Sequence, residues 1–183
     1  MGLKAGQGIV WGDEMKLGLR GQVRKVWAPR GAAVSREVQI GRSYLYVAVA
    51  LDPVTGQLWW AWQPNMKGAE MARIWGAWAE EPDIDGWVWD GAGGHKGADM
   101  QAIAAPQVVQ PPYAPELNPV ERFFQELRRA LGDRVYPTLE AKQAALEPIL
   151  RAWQADPARI KQLCGWRWIR DTLTALPADT QAS

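Results

Sequence analysis

Three acidic residues stand where carboxylates could share metal ions. Asp13 and Asp90 lie at or just past the ends of two predicted strands, and Glu121 is the third residue of a predicted helix. Because ligands in open α/β sheets gather where strands end, we expect these side chains to meet. Three adjacent carboxylates could not all stay ionised without a cation between them. Two Mg²⁺ or Mn²⁺ ions would neutralise them and clamp an in-line attack at phosphorus.

Each of these acids also has an ordinary structural explanation. Asp residues at strand ends are common in turns, because their side chains bond to nearby backbone groups. Asn118-x-x-Glu121 has the spacing of a helix capping box, with Pro119 at the first helical position. Spacing alone therefore leaves open whether the acids form a site or only end strands and cap a helix.

The chain has one Cys and one His, and these counts exclude several kinds of site. Cys164 cannot form an internal disulfide, and a Cys/His zinc site needs about four such ligands. A Ser or Cys nucleophile would have to use His95 as its only imidazole base, although His95 could as easily begin a helix. A bound metal would be hard and oxygen-ligated, which favours Mg²⁺ or Mn²⁺.

The formal net charge is +1, but the charges are unevenly distributed. Residues 16–42 contain seven basic residues and one acid, 80–99 contain six acids and one Lys, and 151–170 contain five basic residues and one acid. Basic flanks around an acidic centre suit an enzyme that holds a polyanion over metal ions. Solvated surface charge is the alternative explanation.

The predicted elements alternate in a way typical of an α/β domain. Strands are predicted over 8–11, 22–27, 44–51, 57–63, 86–90 and 107–110. The first of these strands is followed directly by Gly12-Asp13-Glu14. Helices are predicted over 66–81, 95–105, 119–131, 139–153 and 157–168. Antiparallel strands followed by β-α alternation predict a mixed sheet with helices on both faces.

The length of 183 residues favours a single domain, with residues 176–183 as a disordered tail. No stretch approaches the ~20 apolar residues of a membrane span, and the first residues do not resemble a secretory signal. We therefore expect a cytoplasmic protein.

Three segments decide among these interpretations: WGDEMKLGL at 11–19, VWDGAGGHKG at 88–97 and PPYAPELNPVERFFQELRR at 111–129. In this order they closely resemble the catalytic domain of bacterial insertion-sequence DDE transposases, the group related to the mariner elements. KVWAPRG at 25–31 also resembles the basic segment of this family. The resemblance covers roughly residues 8–129.

The resemblance implies a ribonuclease-H-like α/β fold in which Asp13, Asp90 and Glu121 bind two Mg²⁺ or Mn²⁺ ions and catalyse DNA cleavage and strand transfer. Gly91 stands where the family often has Asn. The partners implied are transposon ends and target DNA, in a bacterial cytoplasm and at the nucleoid. Candidate phosphate contacts are Lys16, Arg20, Arg24, Lys25, Arg30, Arg122, Arg128 and Arg129.

Such transposases usually carry helix-turn-helix modules before the catalytic domain, and only residues 1–7 precede the resemblance. We therefore expect a helix-turn-helix segment encoded upstream, so that the chain is a frameshift partner, a fragment or a decayed copy. A homodimer is left open.

Three alternative functions also remain open. The first is another ribonuclease-H-like nuclease, such as a ribonuclease H or a junction resolvase. The second is a catalytically dead transposase remnant that binds nucleic acid. The third, more distant, is a glycoside hydrolase, because paired acids and twelve Trp residues also suit sugar chemistry.

Overall fold

The computed structural model describes residues 8–19, 29–31, 43–91, 93–132 and 134–176. Its strands are β1 (Ile9–Gly18), β2 (Tyr44–Leu51), β3 (Leu58–Gln63), β4 (Gly86–Trp89) and β5 (Gln107–Val109). Its helices are α1 (Gly68–Trp78), α2 (Ala98–Gln101), α3 (Pro119–Leu131), α4 (Leu139–Gln154), α5 (Pro157–Cys164) and α6 (Arg167–Thr174). Among these helices, none has the length and apolar character of a membrane span.

The five strands form one mixed sheet in the order β3-β2-β1-β4-β5. β1 lies at its centre, antiparallel to β2 and parallel to β4, while β2–β3 is antiparallel and β4–β5 parallel. The predicted mixed sheet, with three antiparallel strands followed by β-α alternation, is confirmed. The strand predicted over 22–27 lies outside the described residues, as does nearly all of the predicted tail.

Alternation along β1 sends successive side chains to opposite sides of the sheet, each side carrying its own core. The side packed on α3 to α6, here called the α3 face, buries residues of β1 together with Val120, Phe123, Phe124, Leu127, Leu146, Leu150 and Ile160. The side packed on α1 and α2, here called the α1 face, buries Val10, Met71, Ile74, Trp75, Trp78, Trp87, Trp89 and Met100. Helices therefore cover both faces, as predicted.

The α1 face is built around one tryptophan. Trp75 is fully buried and makes edge-to-face contacts with Trp78, Trp87 and Trp89, at centroid distances of 4.8, 5.2 and 5.6 Å. Its ring lies over Gly12, where a Cβ would come within 2.7 Å of Trp75 Cη2. A glycine at this point of β1 is what lets the indole approach the strand so closely.

Two predicted helices differ from the structure. The helix expected over 157–168 is two helices, α5 and α6, because α5 ends at Gly165. A Cβ at this position would collide with the Lys161 and Pro53 carbonyl oxygens, so a glycine is required there. The helix expected over 95–105 shrinks to a 3₁₀ turn at Gly93–Lys96 and the four residues of α2.

A tight turn joins β2 to β3. Asp52 is buried, and its Oδ1 accepts hydrogen bonds from the Val54 and Thr55 amides, at 2.7 and 3.1 Å. Gly56 takes a φ of +81°, a conformation that L side chains rarely adopt. Its Cα packs against the Pro157 carbonyl at the start of α5. The turn therefore joins the hairpin to the helices of the α3 face.

Candidate active site

The parallel pairing of β1 and β4 sets two of the predicted acids at one level. Gly12 pairs with Trp89, so Asp13 and Asp90 each follow at the next step. Alternation along β1 directs Asp13 toward the α3 face. The prediction that β1 ends near Asp13 is wrong, because β1 continues to Gly18 in its pairing with β2. Asp13 is therefore a mid-strand residue that becomes accessible where its shorter neighbour β4 stops.

Asp13 lies in a polar, largely enclosed position. Its Oδ1 accepts the Glu14 amide at 2.7 Å, and its Oδ2 lies 3.4 Å from Asn118 Nδ2. Burial raises the pKa of Asp13 to about 8, and the negative charges of Glu14, Glu121 and Asp90 act in the same direction. Without a cation nearby, the Asp13 carboxyl therefore carries a proton at neutral pH.

Glu121 reaches the same region from the first turn of α3. Asn118 caps this helix, accepting the Val120 amide at 3.0 Å, and also donates to the Gly12 carbonyl at 3.3 Å. The buried Asn118 side chain thereby ties the start of α3 to β1. Its capping role is confirmed, but the described bond of the Glu121 side chain runs to Arg128, at 3.4 Å.

A cleft of about 470 Å³ lies between these three acids and the loop that leads into α3. Its walls include Asp13, Asp90 and Glu121 and the segment from Val109 to Pro115. Tyr113 forms the outer lip, fully exposed and with a φ of +60° that is rare for a tyrosine. The structure thus brings all three predicted site residues to one cleft.

A second group of polar side chains lies behind the cleft, on the α1 face. Glu14 and His95 are each only 1% exposed, and Glu14 Oε2 lies 3.1 Å from His95 Nε2. Glu14 Oε1 accepts the Trp75 indole N–H at 2.8 Å, and His95 Nδ1 lies 2.8 Å from Asp90 Oδ1. The His95 ring stacks on Trp89, with 5.1 Å between centroids and 10° between planes.

Sequence reasoning did not identify this group. Glu14 directly follows a predicted site residue, and His95 stands alone in a Gly-rich segment. Period-two alternation along β1 was the usable signal, because it places Asp13 and Glu14 on opposite faces.

The His95 imidazole is held between two carboxylates. Burial alone would lower its pKa, but the hydrogen bonds to Asp90 and Glu14 outweigh burial and raise it to about 10. At neutral pH the ring is therefore an imidazolium, and both of its nitrogens donate.

The carboxylates suit a hard cation by donor type. Two Asp and one Glu provide only oxygen ligands, which Mg²⁺ and Mn²⁺ prefer, and a cation would offset the burial and the repulsion that together raise the pKa of Asp13. Across the described residues, no three Asp, Glu, His or Cys side chains already stand in metal-ligating geometry. The Glu121 carboxylate pairs with Arg128 through Oε2, and the Asp90 carboxylate bonds to His95 through Oδ1.

The predicted phosphate contacts are only partly described. Lys16 is exposed, with its Nζ 3.8 Å from the centre of the Tyr44 ring, and Arg30 is exposed. Arg122 and Arg129 bond to acceptors within α3, as Arg128 does to Glu121. The remaining predicted contacts, Arg20, Arg24 and Lys25, lie outside the described residues.

Solved structures of Mos1 transposase share this fold. The Mos1 strand transfer complex matches with a TM-score of 0.60 at 15% identity, covering 92% of this chain and 54% of that one. The pre-cleavage Mos1 transpososome matches with a TM-score of 0.62 at 14% identity, covering 92% and 55%. The fold is therefore the ribonuclease-H-like fold of DDE catalytic domains, and the chain spans about half the length of these structures.

The sequence supports the same class of protein. The family model for DDE superfamily endonucleases matches residues 8–142, and the chain belongs to that family. The matched region contains β1, β4 and the start of α3, and hence all three acids of the cleft. No curated protein sequence matches significantly.

Proposed function

We propose that this domain cleaves DNA strands at the ends of a transposable element and joins the freed 3′ hydroxyl to target DNA. The observation that carries the proposal is the convergence of Asp13, Asp90 and Glu121 on one cleft from β1, β4 and α3. Membership in a family of endonucleases supports it, as does the likeness of the fold to Mos1 transposase in complexes with transposon ends.

The proposed chemistry has two phosphoryl-transfer steps. In the first, water attacks a phosphodiester at the element end, and the bond from phosphorus to the 3′ oxygen breaks to leave a 3′ hydroxyl and a 5′ phosphate. In the second, that 3′ hydroxyl attacks a target phosphodiester, so that one P–O bond forms as another breaks. No protein–DNA covalent intermediate is required.

The cofactors proposed are two Mg²⁺ or Mn²⁺ ions held by Asp13, Asp90 and Glu121. Bound there, the ions would supply electrostatic stabilisation of the charge that develops at phosphorus. Paired-end complexes of Mos1 with Mn and with Mg lend support to this choice. The chain's own part is to hold the carboxylates at one level, through the β1–β4 register and the Asn118 link to β1.

The proposed partners are transposon-end and target DNA, in the cytoplasm and at the nucleoid of a bacterium. Phosphates would be contacted by Lys16, Arg20, Arg24, Lys25, Arg30, Arg122, Arg128 and Arg129, which position a duplex without reading its sequence. Recognition of the element ends would come from a helix-turn-helix segment encoded upstream. A homodimer would hold two ends together.

The test is nicking of a labelled duplex that carries the element end, with Mg²⁺ or Mn²⁺ and with EDTA. The parent should nick only with metal. Asp13→Asn, Asp90→Asn and Glu121→Gln should each lower the rate at least ~100-fold, because each removes a ligand charge but keeps the side-chain shape.

Asp171→Asn is the matched control. Asp171 is an exposed acid on α6 that pairs with Arg167, and its replacement should leave the rate unchanged. Nicking in EDTA, or a parental rate in the Asp90→Asn variant, would reject the proposed function.

A further inference from the structure

His95 connects two acids that differ greatly in exposure. Its Nε2 meets Glu14, whose side chain is 1% exposed, and its Nδ1 meets Asp90, whose side chain is 49% exposed. The connection therefore runs from the sealed interior of the α1 face to the edge of the cleft.

A carboxylate as deeply buried as Glu14 is costly unless it is fully bonded. Both of its oxygens have donors, Trp75 Nε1 at 2.8 Å and His95 Nε2 at 3.1 Å. An apolar side chain would fill this place in a tryptophan core at lower cost. The orientation that Glu14 gives to the imidazole is thus its clearest contribution.

The imidazole is held at one face and at both of its nitrogens. Trp89 stacks on one face of the ring, and the bonds at its two nitrogens define the remaining rotation. A ring fixed in this way can hold the Asp90 carboxylate at one angle about its Cβ–Cγ bond.

We propose that His95 is a positioning residue that, anchored by Glu14, sets the orientation of the Asp90 carboxylate at the cleft. This inference rests on the proposed function, in which the orientation of the Asp90 carboxylate matters because Asp90 is a proposed metal ligand. His95 itself would touch neither DNA nor a metal ion. Loss of such supporting bonds typically costs 10–100-fold in metal affinity or activity.

The first test needs no activity. His95 is the sole histidine of the chain, so a long-range ¹H–¹⁵N spectrum of the metal-free protein shows a single imidazole. Asp90→Asn should shift mainly the Nδ1 resonance, and Glu14→Gln mainly the Nε2 resonance. If neither substitution moves its own nitrogen, the connection does not exist in solution and the proposal is wrong.

The second test uses two amide replacements with different reach. In His95→Asn an amide nitrogen can stand near the position of Nδ1 and still bond to Asp90, whereas in His95→Gln it stands near Nε2 and reaches Glu14. If His95 positions Asp90, the Asn variant should keep kcat for nicking within about threefold of the parent. The Gln variant should lose 10–100-fold in kcat and in Mn²⁺ affinity, with KM for DNA unchanged.

Met100→Leu is the control for the packing of this region. Met100 is fully buried in the α1 face, and the change should lower the melting temperature without altering kcat. Equal loss of kcat in the Asn and Gln variants, in proportion to their loss of stability, would mean a purely structural role and overturn the proposal. If the parent does not nick DNA, the proposed function fails, and the imidazole spectrum and Mn²⁺ affinity alone decide the role of His95.

Discussion

Two consecutive acidic residues of β1, Asp13 and Glu14, lie on opposite faces of one sheet and have opposite surroundings. On the α3 face, burial and then the neighbouring acids raise the pKa of Asp13 to about 8, although its Oδ1 accepts the Glu14 amide at 2.7 Å. On the α1 face, Glu14 is sealed from water and bonded at both oxygens. The comparison teaches that one sheet can place acids close together at a cleft on its α3 face and, on its α1 face, bury a carboxylate whose oxygens both accept hydrogen bonds.

The α1 face should contribute more to the stability of the protein than the cleft does. We expect Trp75→Ala to cost about 3–5 kcal/mol of unfolding free energy, the range for deletion of a buried Trp. It removes three aromatic contacts and one donor to Glu14. Urea unfolding followed by circular dichroism measures this. Trp168→Ala, at a residue 40% exposed, is the control and should cost ~1 kcal/mol or less. Similar losses in the two variants would contradict the contrast.

The α3 face should gain stability when the buried, ionisable carboxyl of Asp13 is replaced by an amide. The Asp13 carboxyl has a pKa of 3.8 when unfolded and about 8 when folded, so the folded state binds more protons between these values. Its contribution to stability is thus fully present below pH ~4 and is lost as pH rises to about 8. In EDTA, Asp13→Asn should therefore stabilise the protein by on the order of 3 kcal/mol more at pH 8.5 than at pH 4.5.

Thermal unfolding at the two pH values measures this gain. Asp171→Asn should show no such pH-dependent gain, because that acid is exposed on α6. A stability change in Asp13→Asn that is the same at both pH values would show that folding does not raise the pKa of Asp13.

The smallest effect concerns the lip of the cleft. Tyr113 is fully exposed with a φ of +60°, so its side chain gains no packing to offset an unfavourable backbone conformation. Asn tolerates this left-handed region better, and Tyr113→Asn should raise stability by about 0.5–1 kcal/mol. The midpoint of chemical denaturation is the measurement. A loss of stability would show that the tyrosine makes contacts that its exposure conceals.

Local patterns predicted much of this fold. The apolar β-branched run of β2 and the Asn118-Pro119 start of α3 predicted those elements to the residue, because both carry strong local signals. The end of β1 was predicted wrongly because its second half lacks such a signal and is held by pairing with β2, about thirty residues away. The approach of the Pro53 carbonyl to Gly165 likewise joins residues that are distant in sequence.

The cleft itself followed from a family resemblance more than from spacing. Asp13, Asp90 and Glu121 do line one cleft, but their role in metal binding stays a prediction. Alternation along β1 could have placed Glu14 opposite Asp13, but it could not predict the contact of Glu14 with His95, which lies 81 residues away in sequence. Pairing of β1 with β4 creates that proximity, and no local pattern reports it.

The two faces share a single peptide group. The amide N–H of Glu14 donates to Oδ1 of Asp13 at 2.7 Å, so the backbone of one acid is a hydrogen-bond donor to the side chain of the other. Substitutions at Glu14 and Asp13 should therefore be non-additive even though the side chains never meet, with a coupling free energy of about 0.5 kcal/mol or more. At this level of the sheet the interior and the cleft are mechanically linked, so substitutions at Asp13 and at Glu14 constrain each other.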